Sequence, residues 1–161
     1  MFQAIVTGVI VILTVIDRLT KYAAVSTVKV NGPYEFLFGT MQFRYTENTG
    51  AAFSMFSDNT LALTIVSAVV LIGCYVFVMS RKIKAVFPNI CLTLIIAGGL
   101  GNVIDRAAYG FVVDFIEPLF IDFAVFNFAD CCITVGAFML VGYEIYEMIA
   151  EQKNKKAKKN D

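Results

Sequence analysis

Four stretches of this chain are long and apolar enough to cross a bilayer, and a chain with four such stretches cannot fold around a single water-excluding core. Residues 2–25 open with an unbroken apolar and small-residue run as far as Ile16, and residues 61–80 carry no charge at all. Residues 85–104 hold Pro88 in their first turn, where a missing N–H costs a helix little. Residues 128–149 form the last run. About 20 apolar residues span the hydrocarbon core as a helix. Hydrophobic residues make up 58% of the 161, above the roughly 45–50% of soluble domains. The expectation is one integral membrane domain, mainly α, with spans at 2–25, 61–80, 85–104 and 128–149. Two longer loops, 26–58 and 106–127, and a tail, 150–161, complete it. Neither a basic leader nor a small-residue cleavage site precedes Asp17, so the first run reads as a span rather than a cleavable signal.

Charge placement orients the spans. Arg81, Lys82 and Lys84 sit in the short gap between the second and third runs, and Lys153, Lys155, Lys156, Lys158 and Lys159 crowd the tail, so 8 of 13 basic residues occupy two places. The positive-inside rule makes both places cytoplasmic, and the amino terminus with them. The longer loops are then extracytoplasmic. In the first, Met41, Phe43 and Tyr45 alternate with Gln42 and Arg44, and Tyr34, Phe36 and Phe38 alternate likewise, which predicts a small sheet or hairpin at the membrane surface. This orientation collects Asp17, Asn48, Asp105, Asp114, Asn127 and Asp130 at one membrane face, each at or near the outer end of a span.

Those carboxylates carry the chemistry. Asp114 lies inside the apolar run 111–116, and Asp130 follows the apolar run 123–129 at the mouth of the last span. An acid in such a setting marks a functional hypothesis, because its desolvation must be offset. Two aspartates close together in a poorly solvated place cannot both ionise, so one keeps its proton while the other acts as a base. Such a pair can activate water and protonate a leaving amine. A proton relay in a carrier, and plain structural pairing, are the other uses of intramembrane acids, and at this level all three stay open. The chain has no histidine and no CxxC spacing, so no metal site built from the common zinc ligands is expected, and there is no cofactor signature. The four cysteines fall in or beside the spans as small apolar thiols. Asp17 and Lys21 are spaced i,i+4 with the acid first, suited to a helical ion pair that neutralises itself or braces a neighbour.

Five motifs, in order, resemble those of bacterial lipoprotein signal peptidases, the signal peptidase II family. They are DRLTK (17–21), NTGAAF (48–53), GLGNVIDR (99–106), GFVVDFI (110–116) and FNFAD (126–130). The resemblance covers essentially the whole chain. It implies a membrane aspartyl endopeptidase that removes the signal peptide from prolipoproteins just before a diacylglyceryl-modified cysteine, with Asp114 and Asp130 as the catalytic dyad. It further implies that Asn102, Arg106 and Asn127 orient the dyad or bind substrate backbone, and that Asp17, Lys21, Asn48 and Gly50 support the site. The site would lie near the extracytoplasmic face of a bacterial inner membrane, where a lipid-anchored substrate arrives by lateral diffusion. The remaining expectations are bland. Asp105 and Arg106 form a structural pair or cap at the end of the third span, Glu117 and Asp122 are solvated, and Glu144 and Glu147 are interfacial. The lysine tail meets membrane lipid rather than nucleic acid, and the chain acts as a monomer.

Overall fold

All four apolar runs are helices, because a backbone in hydrocarbon must satisfy its N–H and C=O groups within its own segment. The computed structural model describes residues 1–50 and 59–160, so the GAAF stretch lies outside the described residues beyond Gly50. Helix α1 covers Phe2–Asn31, α2 covers Thr60–Met79, α3 covers Val86–Tyr109 and α4 covers Phe128–Asn160. Three strands, β1 (Tyr34–Phe36), β2 (Met41–Asn48) and β3 (Val112–Pro118), form one antiparallel sheet in the order β1-β2-β3.

Three helices outrun their expected ends. Instead of stopping at residue 25, α1 passes through a π-helical turn, Ala24–Val28, where Ser26 and Thr27 return their hydroxyls to the Ala23 carbonyl at 3.1 and 2.6 Å. It ends only at Gly32. Helix α3 continues beyond residue 104 to Tyr109, because Asp105 and Arg106 point into the bundle rather than into solvent. Gly110, at φ +81°, closes it in a left-handed conformation that favours glycine, donating its N–H to the Arg106 carbonyl at 3.0 Å. The tail expected at 150–161 is helical as far as Asn160, continuous with α4.

Helix α3 is the hub, packed against each of the other three helices. It approaches α4 closely because both present glycine at the crossing. A Cβ on Gly98 would collide with the Ala129 carbonyl, and one on Gly136 would lie 2.7 Å from the Cys91 carbonyl. Val6, Ile10, Val78, Ile96 and Ala97 fill the buried core below that crossing.

The sheet is larger than the expected hairpin. β3 comes from the second loop and pairs with β2 through Thr46–Asp114 and Asn48–Val112, with an irregularity between Phe43 and Thr46. Its residues Val112, Val113, Asp114 and Phe115 are buried in succession, which is why the run shows no alternation. Phe115 packs on Ala24 and Val28, tying the sheet to the π-turn of α1. Phe38, expected in a strand, sits in the β1–β2 turn, where Leu37 and Phe38 adopt φ of +48° and +57°. The polar residues singled out by the sequence gather where this sheet meets the ends of α1, α3 and α4.

Candidate active site

Asn127 precedes α4 and caps it. Its Oδ1 accepts from the Asp130 N–H at 2.9 Å, while the Asp130 carboxylate accepts from the Asn127 N–H at 3.1 Å, a reciprocal capping box with aspartate in the third helical position. The Asn127 amide then has two donors left. One goes to Asp114 Oδ1 at 2.7 Å and the other to Asn102 Oδ1 at 3.2 Å. One fully buried residue therefore holds both carboxylates, Asp114 through its side-chain amide and Asp130 through its backbone N–H, and its hydrogen-bond pattern fixes which way the amide faces.

Asp114 arrives on β3 and takes its second donor from β2, the Asn48 amide at 2.9 Å. Asp130 takes its second from Asn102 on α3, at 2.8 Å. Asn48 in turn accepts from the Gly50 N–H at 3.0 Å, which orients its amide toward Asp114. Burial pushes the Asp114 carboxyl up to about 6; the donated Asn48 bond opposes that, the nearby Asp130 charge adds to it, and the Asn127 bond and the Lys21 charge oppose it. Asp114 is 1% exposed, whereas Asp130 is half-buried and open to the cavity described below.

Behind this pair lies a dense ionic cluster. Lys21, fully buried, pairs with Asp17 at 3.0 Å and Asp105 at 2.9 Å and donates to the Asn102 Oδ1 at 2.9 Å. Asp105 also accepts from Arg18 and from the Val113 N–H at 3.2 Å. Asp17 accepts from the Ala129 N–H at 3.1 Å, in the first turn of α4, and only glycine at position 101 leaves room for its carboxylate. The Asp17–Lys21 pair thus braces its neighbours rather than neutralising itself at the surface. The expected Asp105–Arg106 pairing does not occur. A helix turns about 100° per residue, so consecutive side chains diverge. Asp105 faces α1, while Arg106 donates to the Gly50 carbonyl at 2.7 Å. Nor is Glu117 simply solvated, since it accepts from Gln42 and from Arg44 across the sheet. Arg18 was missed by the sequence reading. The available signal was a third charge within the same turn of a span otherwise free of charge.

A cavity of about 520 Å³ opens in front of the carboxylates, between α2, α3 and α4. Asn48, Asn102, Arg106, Asp114 and Asp130 line its polar end, and mostly apolar residues of α2, α3, α4 and the segment before α4 line the rest. Of the residues the sequence proposed for the site, all but Asp17 lie at this end of the cavity or one hydrogen bond behind it, and Asp17 stands one step further back, paired with Lys21.

Comparisons with known proteins place the chain in a family. The profile of a family described as signal peptidase (SPase) II matches residues 9–146. The lipoprotein signal peptidase of Streptococcus pneumoniae is 37% identical over 139 residues, covering 86% of this chain and 91% of the relative. A Streptococcus pyogenes serotype M5 relative with the same description is 33% identical over 132 residues, covering 82% and 87%. A bacterial membrane enzyme structure solved by the in meso method at 2.3 Å superposes with a TM-score of 0.83 at 28% identity, covering 90% of each chain. A second, at 1.9 Å, gives 0.76 at 30% identity, over 86% of this chain and 90% of the other. With four helices long and apolar enough to cross a membrane and a family match that spans most of its length, the chain is a multi-pass membrane protein belonging to the signal peptidase II family of peptidases.

Proposed function

We propose that the chain is an aspartic-type endopeptidase that cleaves signal peptides from diacylglyceryl-modified prolipoproteins, just before the lipidated cysteine. The observation that carries this reading is the joint suspension of Asp114 and Asp130 from Asn127 at the polar end of an otherwise apolar cavity. Such a cavity suits a hydrophobic peptide whose reactive bond must meet water activated by carboxylates.

In this mechanism Asp114 holds the proton of the resting pair, favoured by its burial. Asp130, in the first turn of α4 with two N–H donors, is the ionised partner, where the helix dipole favours negative charge. Water adds to the scissile carbonyl carbon as Asp130 takes one of its protons, and Asp114 gives its proton to the carbonyl oxygen. The resulting gem-diol collapses. One hydroxyl proton returns to Asp114, the C–N bond breaks, and Asp130 protonates the departing nitrogen, so the pair ends as it began. Asn127, Asn102 and Asn48 keep the carboxylates aimed throughout, and Arg106 holds the Gly50 carbonyl.

Both termini are cytoplasmic and the site faces outward in a bacterial inner membrane, with a single chain sufficing. Supporting that orientation, Gln3 donates to the Met79 carbonyl at 3.1 Å and Arg81 lies over the Phe2 ring at 4.7 Å. The amino terminus and the basic α2–α3 turn therefore share the bundle end opposite the sheet. The test is cleavage of a purified diacylglyceryl prolipoprotein in detergent with chelator, followed on a gel. Wild type should cleave, while Asp114→Asn and Asp130→Asn should fold and bind but not turn over. Activity in either variant removes that residue from the dyad.

A further inference from the structure

Hydroxyls within membrane helices ordinarily satisfy themselves, because hydrocarbon offers them no other partner. Eight of the ten serines and threonines in the described helices do so. Thr7 meets the Tyr75 hydroxyl, and Thr14, Thr20, Ser26, Thr27, Thr60, Thr64 and Thr93 each donate to a backbone carbonyl. The other two, Ser67 on α2 and Thr134 on α4, have no hydrogen-bond partner among the described residues. Both line the cavity in front of Asp114 and Asp130, one on each of two walls.

A peptide needs unmet hydrogen bonds for such groups to satisfy. Cleavage requires the scissile carbonyl to leave any helical ladder, so the residues entering the site run extended and lose their internal N–H and C=O partners. Against walls such as Leu63, Val66 and Val70, each unmet backbone group costs several kcal/mol. A hydroxyl both donates and accepts, and answers either need.

We infer that Ser67 and Thr134 form a backbone-binding subsite for the extended segment of the signal peptide immediately upstream of the cleaved bond. The inference rests on the peptidase reading above and adds the place where the substrate backbone is held. Thr134 stands one helical turn beyond Asp130, on the same face of α4 and farther along the helix from the sheet. Four residues at 1.5 Å rise give about 6 Å, which an extended chain covers in roughly two residues. Thr134 therefore serves the second or third peptide unit before the cleavage point.

The experiment compares wild type, Ser67→Ala, Thr134→Val and the double variant on a synthetic diacylglyceryl prolipopeptide, and on the same peptide with single amide-to-ester replacements at each of the three bonds upstream. The double variant should raise KM about tenfold with kcat held within about twofold, whereas Thr134→Ser, which keeps a hydroxyl, should retain the wild-type KM. An ester at the second or third bond should penalise wild type and leave the double variant no worse. An unchanged KM, or an ester penalty equal in both enzymes, overturns the subsite while leaving the peptidase intact. No cleavage of the all-amide peptide by folded wild type overturns the peptidase reading and the subsite together.

Discussion

Removing the Lys21 ammonium should destabilise the fold far more than its place in an apolar helix suggests, and a second substitution should recover much of the loss. In the native chain Lys21 and Arg18 balance Asp17 and Asp105, and three of the four are almost completely buried, with Arg18 partly exposed. Lys21→Met keeps the length and apolar stem but leaves two buried carboxylates against one cation. Asp105 retains Arg18 and the Val113 N–H, and Asp17 retains only the Ala129 N–H. Stripping one partner from a buried pair costs about 3–5 kcal/mol. At this chain length that corresponds to a fall in Tm of about 10 °C. Adding Asp17→Asn restores the balance of one cation to one anion, and the new amide still accepts from Ala129. The double variant should therefore recover about 2 kcal/mol relative to the sum of the single changes. Unfolding of all four proteins in one detergent closes the cycle. If Lys21→Met costs under about 1 kcal/mol, or the two changes simply add, the charges are not acting as a sealed set and the reasoning fails.

Stability should also depend on pH through Asp114. Its carboxyl is raised from 3.8 to about 6 on folding, so the folded protein binds the extra proton between those values. Stability is fullest below pH 3.8 and falls as pH rises toward 6, by about 3 kcal/mol at most. Asp114→Asn should flatten that slope in denaturation curves taken across the interval, and an unchanged slope would assign it to another group. Asn127→Ala should cost about 1 kcal/mol as a lost helix cap, and about a hundredfold in turnover as a lost side-chain donor to Asp114. Calorimetry and the gel assay read the two separately, and intact turnover would contradict the shared suspension. Gly136→Ala should cost about 1–3 kcal/mol by forcing α3 and α4 apart, whereas Gly8→Ala, with open space around it, should be neutral or mildly stabilising. Equal thermal shifts for the two would discount the close crossing.

The helices were legible because hydrocarbon leaves a long apolar run few alternatives, and the carboxylates because aspartate inside such a run has no bland explanation. Helix ends were harder to read. Charges at Lys29, Asp105 and Arg106 look like the edge of a span, yet a buried partner lets a helix carry a charge onward, as Arg18 and Lys21 do for Asp105. The better stops were the glycines, Gly32 before Pro33 and Gly110 after Tyr109. β3 escaped notice for a related reason. Alternation marks a strand with one wet face, and Val112, Val113, Asp114 and Phe115 have none. The cavity hydroxyls, too, read as ordinary helix residues until the partners of every other helical hydroxyl are known.

The position of Asn102 bears on why the ionic cluster sits behind the carboxylates rather than on them. Lys21 reaches Asn102 Oδ1, and the other end of the same amide donates to Asp130. An ammonium in direct contact would lower a carboxylate's pKa by about 1–3 units and occupy an oxygen lone pair that water must use. The amide passes on only direction. With its oxygen pinned by a cation, its NH2 must face Asp130, and turning it over would set one donor against another. The charge thus fixes a geometry from one amide's remove. Asn127 repeats the device between the two acids, with its oxygen committed to the Asp130 N–H and its NH2 to Asp114 and Asn102. On the proposed mechanism two carboxylates keep one proton between them and need neutral, inflexible neighbours, and two buried amides whose side-chain oxygen and nitrogen are both engaged meet that need.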